Sequence, residues 1–178
     1  MSDTKAMAAS GDAPAGKAGP YAGYSHEHRP LGGYFALSSA FGAAFAGSLW
    51  AASRKRGLPN SPDAWDVATA GAATFKLTRL ITKGKATSFI RAPFVSLEGA
   101  AGHGEVTEEP RGEGLRLAVG ELLVCPYCLG QWVGSSITVG YVAAPRLTRL
   151  LTSLYTSLAL ADFAQIAYKA AVDAPESE

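Results

Sequence analysis

Residues 31–53 read LGGYFALSSAFGAAFAGSLWAAS and contain no charged side chain. A helix needs about 20 predominantly apolar residues to cross the hydrocarbon core of a bilayer, and this stretch is long enough. Tyr34 and Trp50 stand near its two ends, and aromatic residues gather at membrane interfaces. The alternative is a buried helix of a soluble protein, but so long a run without charge is more typical of a span. The stretch therefore predicts a membrane-spanning helix.

Two more apolar stretches follow towards the C-terminus. Residues 122–145 are again free of charge, and Pro126 stands near their start, where proline is favoured as the first residue of a helix. This predicts a span over about residues 126–144. Residues 149–171, which carry Asp162 in their apolar part, predict a final span.

Residues 64–82 form a shorter apolar segment that also carries basic residues. Lys76, Arg79 and Lys83 recur at i, i+3 and i+7, so they share one helical face. Such a segment is either a short span whose cations reach the membrane surface or a helix lying in the interface. The sequence accordingly predicts a small all-α integral membrane bundle of three or four transmembrane helices over residues 31–172.

The flanking segments differ in composition from these helices. Residues 1–30 are rich in Ala, Gly, Ser and Pro and predict a disordered tail, because they offer little apolar surface to bury. Residues 173–178 predict a loose, acidic C-terminus. The polar stretch EGAAGHGEVTEEPRGEG, residues 98–114, predicts a flexible loop, in which His103 would be solvated.

Charge composition excludes one class of partner and suggests an orientation. The net charge is +1, and the basic residues are interleaved with segments of spanning length, so nucleic-acid binding is not expected. Lysine and arginine concentrate in cytoplasmic loops of membrane proteins. Their distribution here puts the segment before Cys125 on the cytoplasmic side in both the three-span and the four-span arrangements. We therefore expect a multi-pass protein of the cell membrane.

Both cysteines of the chain lie in one motif, Cys125-Pro126-Tyr127-Cys128. A thiol at a helix N-terminus is activated by the positive end of the helix dipole, which makes Cys125 a candidate nucleophile and Cys128 its resolving thiol. The same tetrapeptide occurs in glutaredoxins, but their βαβ context is not visible in this sequence. A membrane thiol-redox role would need a partner protein with a second cysteine pair.

Two other interpretations of this motif stay open. Structural zinc needs four ligands and the motif supplies two, so a zinc ion would have to be shared across a homodimer; no other cofactor is expected. Alternatively, Cys125 and Cys128 are small packing residues at a helix start. In that case Pro126, Gly130 and Trp132 are structural parts of the motif.

Ionisable groups within spans are costly, so they tend to pair inside the bundle. Glu121 and Asp162 are the acidic candidates, and Lys76 and Arg79 are their expected partners. Exposed cations near an anionic leaflet gain about 1 kcal/mol each. The sequence therefore predicts lipid-headgroup or ion-pair roles for one set of residues: Lys76, Arg79, Lys83, Arg91, Glu121 and Asp162.

Two blocks, ATFKLTRLITKGKATSFIRAPF at residues 73–94 and GELLVCPYCLGQW at residues 120–132, precede the last apolar helix. With that helix they resemble a family of bacterial membrane proteins, domain of unknown function 1360, over roughly residues 64–170. The matching positions are Lys76, Leu77, Arg79, Leu80, Arg91, Pro93, Phe94, Cys125, Cys128, Gly130 and Trp132. The resemblance implies a small integral membrane protein and no established reaction.

These observations favour a structural or accessory role over an enzymatic one. We expect an interaction protein in a bilayer with anionic headgroups, partnered by further copies of itself or by another membrane protein. Gly42 and Ala46, one turn apart in the first predicted span, are typical of close helix contacts. The alternative is a thiol-redox or metal-binding membrane protein that uses Cys125 and Cys128 at the cytoplasmic boundary.

Overall fold

The computed structural model describes residue 24, residues 29–58 and residues 63–173. Most of the predicted N-terminal tail and of the predicted loose C-terminus lies outside these residues. The helices are α1 (Leu31–Arg56), α2 (Ala64–Lys83), α3 (Ser88–Arg91), α4 (Gly114–Val124), α5 (Pro126–Ala143) and α6 (Pro145–Val172). A 3₁₀ turn (Lys85–Thr87) precedes α3, and two strands, β1 (Val95–Gly102) and β2 (Glu105–Pro110), precede α4.

The helix boundaries follow local sequence signals. Asp63 caps α2, because its Oδ1 accepts the Trp65 backbone N–H at 2.9 Å. Pro126 and Pro145 open α5 and α6, where the missing N–H of proline costs nothing. The predicted start of a helix at Pro126 is confirmed.

Residue contacts give the directions of the long helices. Tyr141 of α5 donates a hydrogen bond to the Asp66 carbonyl at 3.2 Å, whereas Gly130 faces Thr78, so α5 and α2 are antiparallel. The Asp66–Arg149 and Lys76–Asp162 contacts make α6 parallel to α2. α1 packs on α4 and α5. Phe41 lies 5.1 Å from Trp132 between ring centroids.

The bundle therefore has two distinct ends. The cysteine end holds Leu31, Lys83 and Cys125, together with α4 and both strands. The turn end holds Arg56 and the α5–α6 turn at Ala144. Within the bundle, α2 lies against both α5 and α6 and buries four small side chains, namely Thr69, Ala73, Thr78 and Thr82.

Among the described residues, α1 and α6 are each long and apolar enough to cross a membrane. α4 and α5 meet at an angle of 81° and make a third candidate if the bent pair forms one span. α2 does not reach the same hydropathy, and Asp66, Lys76 and Arg79 lie within it. The helical membrane-type fold is confirmed, and a small β-hairpin is added to it. By length and hydropathy the described residues give two spans, or three with the bent pair, against the three or four predicted.

The prediction of a flexible loop over residues 98–114 was wrong. Strands β1 and β2 form an antiparallel hairpin in which Val95 pairs with Pro110 and Ala100 with Val106. The turn at His103 and Gly104 has positive φ angles of 50° and 77°, as in the tight turns that join twisted strands. His103 itself is exposed, as expected.

The hairpin is held against α4 by close backbone packing. A Cβ atom on Gly120 would lie 2.7 Å from the Phe94 carbonyl oxygen and 3.2 Å from Pro110 Cβ, so only glycine fits this contact. Val95 and Val106 are the buried side chains of the two strands. The hairpin and α4 thus form a cover over the cysteine end of the bundle.

Candidate functional site

The cysteine motif lies at the sharp bend between α4 and α5. Cys125 is the N-cap of α5, and its Sγ accepts the Cys128 backbone N–H at 3.2 Å. Both thiols are free; Cys125 is partly buried and Cys128 is exposed. Tyr127 is 92% exposed, so the outer side of the motif is open to its surroundings. The predicted placement of Cys125 at the helix start is therefore correct.

Glu121 lies in the last turn of α4, close to this motif. It accepts a hydrogen bond from the Tyr34 hydroxyl of α1, and it interacts electrostatically with Cys128. The expected pairing of Glu121 with Lys76 or Arg79 was wrong. Glu121 lies on the side of α4 that faces α1, whereas Lys76 lies on the side of α2 that faces α6.

The described residues contain no cluster of three or more His, Cys, Asp or Glu side chains that could hold a metal ion. His26 and His28 lie outside the described residues. Cys125 and Cys128 supply two of the four ligands that structural zinc requires, so a zinc site built on them needs groups from elsewhere.

Gly130 and Trp132 connect the motif to the bundle. A Cβ on Gly130 would lie 3.9 Å from Thr78 Oγ1, and one on Gly134 would lie 3.6 Å from Thr74 Oγ1. These glycines let α5 approach α2 closely. Trp132 packs on Phe41 of α1. Both residues of the motif therefore make helix–helix contacts.

Two ion pairs join α2 to α6. Lys76 Nζ contacts the Asp162 carboxylate, as the sequence predicted. Arg149 Nη2 lies 2.7 Å from Asp66 Oδ2, a pair that the sequence analysis missed. The two pairs are ten residues apart along α2, so they fix its register on α6 at both ends of the contact.

Arg79 and Arg91 bind the hairpin rather than lipid. Arg79 Nη2 lies 2.6 Å from Glu105 Oε2 on β2. Arg91 is fully buried and its Nε contacts the Glu108 carboxylate, which is 4% exposed. The lipid-headgroup role predicted for Arg91 is incompatible with this burial.

The remaining donors of Arg91 bind carbonyl groups at the C-terminal end of α2. Nη1 donates to the Ile81 carbonyl and, at 3.0 Å, to Thr87 Oγ1, and Nη2 donates to the Gly84 carbonyl at 3.0 Å. Carbonyls at a helix C-terminus lack partners within the helix. A planar guanidinium can satisfy several of them at once, together with a carboxylate. Arg91 is thus the structural link between α2, α3 and β2.

Lys83 and Lys85 differ from these paired cations. Lys83 is half-buried and Lys85 is exposed, and within the described part of the chain neither takes part in an ion pair. Both lie at the cysteine end. Of the predicted lipid-facing cations, Lys83 is the one that the structure leaves available.

A hydroxyl network, which the sequence analysis missed, links the three packed helices. Tyr141 Oη lies 3.1 Å from Thr152 Oγ1 and 3.5 Å from Thr69 Oγ1, and Thr156 donates to the Thr69 carbonyl at 3.0 Å. Such interhelical bonds contribute about 0.6 kcal/mol each in membrane bundles. The four-residue spacing of threonines in α6 was the sequence signal that could have predicted this network.

An apolar cavity of about 500 Å³ lies between α2, α5 and α6. Its lining is mostly aliphatic and aromatic, with several hydroxyl groups. The principal lining residues are Ala73, Leu77, Ile81, Trp132, Val133 and Tyr155. A mostly apolar lining with a few polar groups is typical of small-molecule sites.

Two comparisons find proteins similar to this chain, and neither printed name states an activity. The family described as Protein of unknown function (DUF1360) matches residues 70–168. The UPF0713 protein YngL of Bacillus subtilis (strain 168) is 33% identical over 78 residues, which cover 42% of this chain and 56% of that protein. The match thus spans just over half of that relative, and no solved structure matches significantly. Because the family match covers more than half of its length, the chain belongs to the DUF1360 family of proteins of unknown function.

Proposed function

We propose that this protein is a multi-pass protein of the cell membrane with a structural or accessory role. The observation that carries the proposal is the pairing of charges between α2 and α6, Lys76 with Asp162 and Asp66 with Arg149. An ion pathway would need ionisable groups directed at a passage through the bundle. These four side chains are instead used to hold two helices in register.

The same arrangement explains how α2 would remain in a bilayer. Its hydropathy is low, but Lys76 and Asp66 are neutralised by α6, and its threonines bond the carbonyls of their own helix. A helix whose charges are paired within the bundle has little charge left to expose to lipid. We therefore favour the four-span arrangement, in which α1, α2, α5 and α6 all cross.

The distribution of cations supports a cytoplasmic cysteine end. In the four-span arrangement the turn end carries Arg54, Lys55, Arg56, Arg146 and Arg149. The cysteine end carries Arg29, Arg79, Lys83, Lys85, Arg91, Arg111, Arg116 and Lys169. Because lysine and arginine are more numerous on the cytoplasmic side of membrane proteins, the cysteine end is the better candidate for that side.

Proton flux in proteoliposomes separates a structural role from transport. We expect vesicles containing the purified protein to hold an imposed pH gradient as long as empty vesicles do, measured with an entrapped pH-sensitive dye. The double variant Lys76→Met with Asp162→Leu is expected to behave identically. A flux that the wild-type protein supports and this variant abolishes would show that the pair moves protons, and would contradict the proposal.

Two kinds of partner fit this role. Lys83 and Lys85 are available to anionic headgroups, because neither takes part in an ion pair within the described residues. The small residues of α1 offer a surface for a second copy or another membrane protein, since a Cβ on Gly42 or Gly47 would meet no atom within 4 Å. The native mass of the detergent-solubilised protein would distinguish a monomer from a homo-oligomer.

The alternative is a thiol-redox or metal-binding role for the motif. The contact between Cys125 Sγ and the Cys128 backbone N–H favours it, because it holds the two cysteines one turn apart at the start of α5, where both could react or bind together. Reversible oxidation of the pair by a disulfide reagent would support redox chemistry. Zinc retained by purified protein, and lost in Cys125→Ser, would support a metal site shared between two copies.

A further inference from the structure

Two hydrogen-bond donors that line the cavity between α2, α5 and α6 have no hydrogen-bond partner among the described residues. They are the indole N–H of Trp132 and the hydroxyl of Tyr155. The other lining hydroxyls, those of Ser136, Thr148 and Thr152, are all hydrogen-bonded within the bundle. No described side-chain donor without a partner is fully enclosed by protein, so both of these donors are accessible to a bound molecule.

The two donors lie at about the same level of the bundle. A Cβ on Gly140 would lie 2.7 Å from Thr148 Oγ1, so α5 and α6 are in contact at these two residues. The helices are antiparallel, and Trp132 precedes Gly140 by eight residues whereas Tyr155 follows Thr148 by seven. At 1.5 Å per residue, both donors lie about 10–12 Å from that contact. One molecule in the cavity is therefore within reach of both side chains.

The depth of Tyr155 in the bilayer makes an unpaired hydroxyl costly. In the four-span arrangement α6 begins at the turn end with Pro145, and Tyr155 lies ten residues, or about 15 Å, further along the helix. This is the middle of a hydrocarbon core about 30 Å thick. Lipid chains offer no hydrogen-bond acceptor, so a donor at this depth is stabilised by a ligand that carries one.

The lining also sets the charge of the ligand. No charged side chain of the described residues lines the cavity, so a carboxylate or phosphate there would bear its desolvation cost without a cation beside it. An indole N–H can only donate, so the complementary group is an acceptor oxygen. Phospholipid ester groups lie outside the hydrocarbon core and do not reach this level. The matching class is an uncharged, lipid-soluble molecule with carbonyl oxygens on an apolar ring.

We propose that this cavity binds the ring of a lipid-soluble quinone, whose carbonyl oxygens accept hydrogen bonds from Trp132 Nε1 and Tyr155 Oη. The proposal rests on the membrane embedding argued above, and it adds a ligand to the structural role. Leu77, Val133 and Ile137 supply apolar contacts to the ring and to the first part of its chain. The volume of about 500 Å³ is within the range of small-molecule sites.

Trp132 provides a direct optical test, because quinones quench tryptophan fluorescence at short range. The full chain with Trp50→Phe and Trp65→Phe retains one tryptophan, and it is reconstituted in phosphatidylcholine vesicles. Decylubiquinone is then titrated into these vesicles. We expect quenching that saturates, because a site fills, whereas collisions in the bilayer give quenching that keeps rising. Decylbenzene, which has the chain but no carbonyl oxygens, should not displace the bound quinone.

Matched variants in this background assign the two parts of the site. Tyr155→Phe removes one donor and should weaken binding about fivefold, the effect of a hydrogen bond worth about 1 kcal/mol. Tyr168→Phe, the same substitution at an exposed position of α6, should leave the affinity unchanged. Val133→Phe fills the cavity and should abolish the saturable quenching, whereas Val67→Phe, at an exposed position of α2, should not.

Three results would overturn the proposal. Quenching that does not saturate, and that Tyr155→Phe and Val133→Phe do not alter, would mean only quinone dissolved in the bilayer; it would leave the membrane embedding intact. Displacement by decylbenzene as effective as by quinone would mean that the two donors do not select the ligand. Absence of quenching at every quinone concentration would place Trp132 outside the hydrocarbon and would contradict the membrane embedding itself.

Discussion

Replacing Arg91 by methionine is expected to lower the free energy of unfolding by about 3–5 kcal/mol. The substitution leaves the nearly buried Glu108 carboxylate without its cation, and it removes the donors that bind the Ile81 and Gly84 carbonyls at the end of α2. A buried charge or carbonyl without a partner bears its full desolvation cost. Denaturant unfolding of the detergent-solubilised protein measures the change.

Arg111→Met is the matched control for Arg91→Met. Arg111 is exposed and donates one side-chain hydrogen bond, to the Ala92 carbonyl at 2.8 Å, so its loss should cost about 1 kcal/mol. If Arg91→Met does not accumulate in cells, Arg91→Lys can be measured in its place. Lysine retains the positive charge but lacks the planar guanidinium group, so Arg91→Lys should still be clearly less stable than Arg111→Met. Equal stability of the Arg91 and Arg111 variants would contradict the structural role assigned to Arg91.

Replacing Lys76 by methionine is expected to destabilise the protein by about 2.5–3.5 kcal/mol in a lipid environment, because Asp162 would be left unpaired within a span. In water a pair as exposed as this one would contribute about 0–1 kcal/mol. The size of the loss in stability therefore shows whether the pair lies in lipid or in water. Unfolding of bicelle-reconstituted protein by denaturing detergent gives the measurement.

A double-mutant cycle separates the interaction energy of Lys76 with Asp162 from the other contacts that each side chain makes. Lys76→Met with Asp162→Leu should recover most of the stability that either single variant loses, because no charge remains in the span. The Arg79–Glu105 pair, which joins α2 to the exposed hairpin, is the control. Its coupling should be about 0.2–1 kcal/mol. Comparable small couplings in both pairs would mean that Lys76 and Asp162 lie in water.

Local sequence signals predicted the features that depend on composition. The absence of charge in residues 31–53 was sufficient to predict α1. Pro126 was sufficient to predict the residue at which α5 begins. The Lys76–Asp162 pair was predictable because two costly groups within apolar helices have few partners to choose from. None of these predictions required knowledge of the three-dimensional packing.

The features that were not predicted depend on tertiary contacts. The hairpin has a glycine-rich first strand with little alternation, and it is held by the fit of Gly120 against the Phe94 carbonyl. Arg91 has the local pattern of a lipid-facing cation, and only the folded chain brings it to Glu108 and to the carbonyls of α2. Glu121 binds Tyr34 across 87 positions of sequence, a separation that no local pattern reveals.

Thiol labelling from each side of the membrane tests the multi-pass arrangement most directly. Cys128 is exposed at the cysteine end, and Lys55→Cys in a Cys125→Ser, Cys128→Ser background places a single thiol at the turn end. With a membrane-impermeant maleimide, we expect Cys128 to be labelled only from the cytoplasmic side and Lys55→Cys only from the opposite side. Labelling of both positions from the same side would contradict a bundle whose helices cross the membrane.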